Sequence, residues 1–355
     1  GAAALEQWNP SSTLCTAREI ITLWVSRMVM FNIYFRGCLP FEDVFIHAMI
    51  QDGHGQKMSK SLGNGVDPLD IIHSHGSDAM RFTLTSMTTQ TQDVRMPVDM
   101  VCPHTGETFT PRFINDGSGH QVAAPIQESP GEKSKKMVSS YGVASGKATP
   151  TDDMPAARNT SEKFDVGRNF ANKLWNAVRF ALEHLEAAKE AGADDGNVPG
   201  PMSLPDRWIL SRTARTLEGV DAALAEFDFH GYANRLYQFV WNEVCDWYIE
   251  AVKPVVREPA GARTRQVLAT VLDVTLRMLH PMMPFVTEKL WEGLTEVAPK
   301  RGVKGLDPVE HDLLAQAPWP TADRAVVDLD AEGVFEKVRE VTTMIREVRT
   351  QNQVP

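Results

Sequence analysis

The segment Asp43-Val44-Phe45-Ile46-His47-Ala48-Met49-Ile50 constrains the fold more than any other stretch of the chain. It is short, β-branched and apolar, and it runs directly into Gln51-Asp52-Gly53-His54-Gly55, a turn by composition. Upstream, between Ser11 and about Phe35, residues Ile20, Ile21, Trp24, Val25, Met28 and Val29 fall at helical spacing, which predicts a largely buried helix. Helix, buried strand and a polar loop at the strand's carboxyl end describe half of an open α/β sheet, an architecture that binds ligands at that edge. Two short helices are predicted next, one opened by Asp67-Pro68 and one capped by Ser77-Asp78.

Beyond these helices the texture changes twice. Between about Pro97 and Asn159, Gly, Ser, Pro, Thr and Lys dominate and apolar residues follow neither period, which predicts an insertion or a mobile loop region. From Ser161 the helical pattern returns through Phe170, Leu174, Trp175, Val178, Phe180 and Leu182, until a Gly, Pro and Asp break from Gly192 to Pro205. Further helices are predicted at Asp206 to Phe227, His230 to Ala251, Ala262 to Leu279 and Pro284 to Leu294, separated by Pro and Gly, and together they read as an antiparallel bundle. A last amphipathic helix runs from roughly Ala331 to Val348 and stops before Asn352-Gln353-Val354-Pro355. The expected division is therefore residues 1–96, 97–160, 161–325 and 326–355, with no internal repeat.

Composition excludes several classes. A chain of 355 residues with 43% apolar and 23% charged residues can bury two or three cores and is not disordered throughout. Cys15, Cys38, Cys102 and Cys245 form no CxxC pair, so neither a disulfide framework nor a four-ligand zinc site is expected, and a reducing setting is. Cys102-Pro103-His104-Thr105-Gly106 resembles half a zinc knuckle, but no second pair follows at suitable spacing. No apolar run reaches the length of about 18 residues that spans a membrane, and Gly1 to Leu5 is too short for a signal peptide, which makes a cytoplasmic protein the expectation. The net charge of −10 argues against indiscriminate coating of nucleic acid, though a local basic groove can still bind phosphates. The run of Lys133, Lys135 and Lys136 is either solvated or close to such a backbone.

The chemistry is concentrated in Gly55-Gln56-Lys57-Met58-Ser59-Lys60-Ser61-Leu62-Gly63-Asn64. Two lysines three residues apart, interleaved with serines and bounded by glycines, can direct ammonium and hydroxyl groups at one polyphosphate while the backbone bends around it. Phosphate charge grows as an α-phosphorus is attacked, so a mobile lysine that tightens only then stabilises the transition state more than the ground state. A solvated basic turn is the plainer alternative for two such lysines. The complete KMSKS string, placed between a buried strand and a helix start, favours the phosphate loop.

At these residues the chain resembles the class I aminoacyl-tRNA synthetases, whose second ATP motif is KMSKS, and among them most closely the bacterial valyl type. The resemblance runs through Trp24-Val25-Ser26-Arg27-Met28, Val44 to His47, Gly55 to Asn64, Asp67 to Ile72 and Asp78 to Phe82. It continues in Asn172 to Ala177, Asp206 to Leu210, Trp241 to Tyr248 and His280-Pro281-Met282-Met283-Pro284-Phe285. It implies a partial Rossmann-like nucleotide-binding half followed by an all-α anticodon-binding bundle. The implied reaction is activation of valine by Mg-ATP and transfer to a valine tRNA, in a monomeric parent enzyme.

Carried over position by position, the resemblance implies that Lys60 contacts the ATP phosphates in the transition state while Lys57, Ser59 and Ser61 shape the loop. Met58 lies either near the adenine or in apolar packing that anchors the loop. His47 is divided between a nucleotide contact and a satisfied histidine at a strand end. Trp24 stands at the side-chain pocket position, where it would wall a small apolar pocket, or is core. Where the family has Gly-x-Asp for the ribose, this chain has Ala17-Arg18-Glu19; a longer acid can reach a ribose hydroxyl, but Ala17 narrows the approach. For the bundle, the candidates for RNA contact are Arg168, Lys173, Arg179, Arg212, Arg215 and Arg235, while Trp208, Trp241 and Trp247 fall on apolar helix faces and read as core.

The HxGH motif of the class is absent, and neither Gly117-Ser118-Gly119-His120 nor His73-Ser74-His75-Gly76 replaces it, because both follow KMSKS. The resemblance thus implies a fragment, with the HxGH half and editing domain upstream and a coiled-coil arm downstream. Isoleucyl or leucyl enzymes, or a tRNA-binding paralogue without catalysis, are the alternatives. The chain by itself is expected neither to activate valine nor to charge tRNA; valine-dependent ATP–pyrophosphate exchange by the isolated chain would overturn that expectation.

Overall fold

The computed structural model describes residues 2–89, 92–190, 201–307 and 309–353. The chain divides into two compact units, the first containing residues 1–74, 84–164 and 227–230 and the second the remainder.

The first unit starts with helix α1 (Ala2–Trp8), strand β1 (Ser11–Ala17), helix α2 (Ser26–Arg36) and strand β2 (Phe41–His47). Strands β1 and β2 pair in parallel from Ser11↔Phe41 to Ala17↔His47, with α2 as the crossover that parallel pairing requires. Strand β3 (Ile50–Asp52) pairs in parallel with β4 (Val94–Met96), the chain between them passing through helices α3 (Pro68–His75) and α4 (Ser77–Met87). The expected α/β half-sheet is therefore present. Two details differ from expectation. The segment Asp43 to Ile50 is not one strand: β2 ends at His47 and Ile50 opens β3, which pairs elsewhere. Nor is Ser11 to Phe35 one buried helix. Its first residues, rich in Thr and Ser, extend along β2, a 3-10 turn and a π turn follow at Arg18–Ile20 and Ile21–Val25, and no residue of α2 is buried. Apolar residues surround α2 on all sides, so spacing alone could not show which face, if any, would be covered.

The stretch 97–160, read from composition as an insertion or a mobile loop region, is built of short strands. Strands β5 (Asp99–Val101), β6 (Thr108–Phe109) and β11 (Arg158–Thr160) form one sheet, β7 (Phe113–Asn115) pairs with β8 (Gln121–Ala123), and β9 (Ile126–Ser129) pairs with β10 (Glu132–Val138) ahead of helix α5 (Ser140–Ala144). Its small core joins Met100, Cys102, Met137 and Ala157, with Phe109 and Ala123 against them. Apart from the seven-residue β10, these strands have two to four residues, too few for alternation to be recognised by period.

The second unit is helical: α6 (Lys163–Glu190), α7 (Leu204–Ala225), α8 (Phe229–Gln238) continued by a π-helical segment Phe239–Tyr248, α9 (Ile249–Val256), α10 (Ala262–Leu279), α11 (Pro284–Val297) and α12 (Leu329–Gln351). Of the expected break from Gly192 to Pro205, residues up to 200 lie outside the described residues, and Pro205 itself falls in the first turn of α7, capped by the Ser203 hydroxyl. The core contains Phe170, Trp208, Tyr232, Tyr248 and Trp291, all essentially inaccessible. Gly167 permits α6 to lie against α4, since a β-carbon there would stand 2.3 Å from the Ala79 carbonyl.

Buried charges pin this apolar bundle at defined points. The Asp78 carboxylate accepts from the backbone N–H groups of Phe285 and Val286 (3.2 and 2.6 Å) at the start of α11, where the helix dipole favours an anion, although burial raises its pKa above the usual carboxylate range. Arg81, exposed one turn along α4, adds bonds to the carbonyls of Pro281 and Met282. The Asp206 carboxylate accepts from the hydroxyls of Tyr248, Thr264 and Ser203 at 2.7–2.8 Å. Asp273 pairs with Arg277 (2.6 Å) and Arg301 (2.7 Å), all three side chains being almost wholly buried. Replacing Asp273 by Ala would strand two guanidinium groups in the core. The expected cost is about 3–5 kcal/mol, read from urea unfolding of the wild-type and D273A chains.

Candidate nucleotide-binding site

The loop that follows β3 is organised by one buried carboxylate. Asp52 lies at the strand's end and is only 3% exposed. Its Oδ1 accepts from the N–H groups of His54 (3.0 Å) and Gln56 (2.9 Å), and its Oδ2 accepts from the side-chain amides of Gln56 (2.8 Å) and Asn64 (2.8 Å). Burial pushes the pKa of this group up, but the four hydrogen bonds outweigh it and leave the pKa below the ordinary carboxylate value. Asn64 faces back across the loop: its Oδ1 accepts from the Ser59 N–H (2.9 Å), and its amide also donates to the Lys57 carbonyl (3.3 Å). Residues 57–64 are thus folded around the Asp52–Asn64 pair, with the chain reversals at Gly55 (φ 78°) and Gly63 (φ 57°) in the left-handed region that glycine alone enters freely.

This frame turns the motif outward. The hydroxyls of Ser59 and Ser61 lie 3.1 Å apart, and Ser59 Oγ accepts from the Leu62 N–H. Lys57 pairs with Glu19, which brings the two residues read as phosphate lysine and ribose acid into direct contact. Lys60 is exposed and has no ion-pair partner among the described residues. Met58 is half-buried, and His47, also half-buried, lies with Nδ1 2.9 Å from the Ala48 carbonyl oxygen. Glu19 is placed by its neighbour Arg18, whose guanidinium makes a two-armed bond of 2.7 Å to Asp93. Asp93 in turn accepts from the Met49 N–H and the Gln51 amide, and the Arg18 hydrogen bond lowers its pKa. Trp24, in the π turn, is 60% exposed. A cavity of about 390 Å³ lies behind the loop, lined among others by Asp52, His54, Asn64, Asp99, Phe113 and Gln121.

Sequence reading missed Asp52, Asn64, Arg18 and Asp93 as site residues. Asp52 and Asn64 stand in the quoted strings, but as a turn former and a motif flank; that they meet over twelve residues is a tertiary fact. Cys102 is buried 3.3 Å from the Ser129 hydroxyl, and no group of three His, Cys, Asp or Glu residues arranged for a metal occurs among the described residues.

In the helical unit the RNA candidates are spread out and mostly engaged. Arg168 pairs with Asp165 (2.6 Å), Arg215 with Glu332 (2.6 Å), and Arg212 with both Glu243 and Glu332. Lys173 pairs with Asp246 (2.6 Å) and lies 3.9 Å from the centre of the Trp241 ring. Arg179 and Arg235 are exposed. Trp208 is core, stacked on Phe335 at 4.1 Å, whereas Trp241 and Trp247 are only partly buried.

The lowered pKa of Asp52 has a definite pH signature. The stabilisation it provides is complete above the ordinary carboxylate value of 3.8 and is lost as pH falls through the lower folded-state value. Hydrogen-exchange protection of the His54 and Gln56 amides, corrected for intrinsic rates, is therefore expected to stay level from neutral pH to about 4.5 and to collapse only below about 3.8. A decline beginning near pH 6 would contradict the assignment.

Residues 2–97 match the family described as tRNA synthetases class I (I, L, M and V), and residues 206–355 match that described as the anticodon-binding domain of tRNA ligase. A valine–tRNA ligase of Rhodopirellula baltica is 38% identical over 354 residues, covering 99% of this chain and 33% of the relative. Valine–tRNA ligases of Caulobacter vibrioides and Thermotoga maritima are 35% and 33% identical over 99% of the chain, each covered to 31%. The chain thus spans about a third of the length of the curated relatives it matches. Among solved structures, the ternary complex of an Agrobacterium radiobacter K84 LeuRS with tRNA and LeuAMS shares the fold with a TM-score of 0.54 at 17% identity, over 90% of this chain and 29% of that one. Over its whole length the chain is thus similar to part of valine–tRNA ligases that are 33 to 38% identical to it, with a class I tRNA synthetase match in residues 2–97 and an anticodon-binding-domain match in residues 206–355.

Proposed function

We propose that this chain is the part of a valine–tRNA ligase that grips the phosphates of ATP and holds the anticodon end of tRNA. The observation that carries the reading is the outward-turned KMSKS loop, with Lys60 free at its surface and Lys57 against Glu19. In the complete enzyme, the valine carboxylate attacks the α-phosphorus of Mg-ATP, pyrophosphate leaves, and the valyl group passes to the terminal ribose of the tRNA. The loop's part is electrostatic. Lys60 closes on the phosphates as their charge grows, Ser59 and Ser61 offer hydroxyls, and Lys57 exchanges its Glu19 partner for phosphate while Glu19 turns to the ribose. Met58 and His47 border the nucleotide, and Trp24, exposed on the π turn, walls the amino-acid pocket. Arg168, Lys173, Arg179, Arg212, Arg215 and Arg235 are the cations offered to RNA. Arg179 and Arg235 are the readiest, since the others first give up an acidic neighbour.

The domain reading accompanies this role. Residues 1–96 supply the second half of the catalytic domain, 97–160 an insertion, 161–325 the anticodon-binding bundle and 326–355 a connector helix. A cytoplasmic location fits the absence, among the described residues, of any helix long and apolar enough to cross a membrane. The decisive experiment is amino-acid-dependent ATP–pyrophosphate exchange by the full-length enzyme with valine, isoleucine and leucine. Valine is expected to be preferred, and K60A to lower kcat by about 100-fold with a much smaller change in the KM for ATP. Equal exchange by K60A and wild-type enzyme, or a preference for isoleucine or leucine, would refute the reading.

A further inference from the structure

The KMSKS loop is held from behind at two points, both by the β-rich stretch 97–160. Ahead of Lys57, the Gln56 side-chain amide pairs with the backbone of Gln121 as a strand edge would: Nε2 donates to the Gln121 carbonyl (2.7 Å) and Oε1 accepts from its N–H (2.8 Å). The His54 ring meets Phe113 edge-on beside this contact, at 4.6 Å between centres. After Ser61, the Asn159 amide donates both hydrogens, to the carbonyls of Gly63 (2.9 Å) and Gly65 (2.7 Å), while its Oδ1 accepts from the Ser140 hydroxyl (3.1 Å). Gly63 passes so close to the start of α5 that a β-carbon would lie 2.3 Å from the Tyr141 nitrogen. Between these anchors, no hydrogen bond or ion pair among the described residues joins 57–62 to 97–160.

We infer that this β-rich stretch is a rear clamp for the ATP loop, with Asn159 and the Gln121 backbone as positioning groups for Lys57 and Lys60. The inference rests on the reading of the loop given above. A segment tied at both ends and free at its apex keeps its lysines over one place while leaving Lys60 able to move, which reduces the ordering left to do when the phosphates must be gripped. The clamp touches no phosphate-facing group. Its loss should therefore appear in the chemical step and in loop opening, with little effect on ATP affinity.

Two variants of the full-length enzyme test this. N159D places a carboxylate, which donates nothing, against two carbonyl oxygens; Q121P removes the N–H that Gln56 accepts, at the first residue of a short strand where proline is tolerated. Each is expected to speed trypsin cleavage after Lys57 and Lys60 about fivefold in the absence of substrates. Each should also lower kcat for valine-dependent pyrophosphate exchange about tenfold, with the KM for ATP within about twofold of wild type. Wild-type rates in both assays for both variants would overturn the clamp and leave the functional reading intact. So would cleavage accelerated throughout the chain rather than at these two lysines. If wild-type enzyme exchanges with none of valine, isoleucine and leucine, the functional reading fails, and the cleavage comparison alone still decides whether the β-rich stretch clamps the loop.

Discussion

The buried carboxylate of Asp52, ringed by four donors at the carboxyl end of β3, is the interaction on which the loop geometry depends. A bare carboxylate in that position would be costly, so the chain around it is obliged to deliver N–H groups. Two come from the turn that follows, and two come from side chains on opposite sides of the KMSKS string. Satisfying one charge therefore closes a loop of twelve residues and sets which side chains are left outside it. Lys57, Ser59, Lys60 and Ser61 face outward because Asn64 and Gln56 face in.

The helical unit uses the same device for a different end. Its core is large and apolar, and apolar packing alone tolerates many near-equivalent arrangements of helices. Asp78 at the N-terminus of α11, Asp206 among three hydroxyls and Asp273 between two arginines each admit one geometry, because any shift leaves a buried charge without its partner. Asp78 and Arg81 grip residues 281–286, so two motifs far apart in sequence prove to be the two halves of one contact. The surface follows another rule. Arg168, Lys173 and Arg215 sit beside acids on an acidic protein, and pairs of this kind near the surface are worth little and exchange partners readily, whereas the half-buried Arg212 is held two-armed by Glu243.

Much of this was legible in the residues themselves. The α10 helix was expected at Ala262 to Leu279 and occupies that span, and the other long helices agree within a few residues, because a 3.6-residue period sustained over several turns leaves few alternatives. The parallel pairing of β1 with β2 was not legible, because with β1 read as part of a helix the succession of strand, helix and strand that implies it came to light only in the structure. The KMSKS string and the resemblance it carries needed no structure. Reading failed where the signal is short or symmetric: β1 was absorbed into the helix that follows it, the strands of 97–160 went unseen within an expected insertion or mobile loop region, and α2, apolar on every side, was taken for buried.

What the sequence determined by itself is local and periodic: the elements with a repeating apolar face, the turns that need glycine or proline, and a motif whose residue types suit polyphosphate. Only the tertiary structure decided how those pieces constrain one another. That Asn64 reaches Asp52, that Arg18 reaches Asp93 and so sets Glu19 beside Lys57, and that Asn159 ties down Gly63 from 96 residues away all depend on distances in space. The physical reason is that a hydrogen-bond donor or a charge carries no mark of its partner along the chain; which of many possible partners it finds is settled by the packing that brings both to one place.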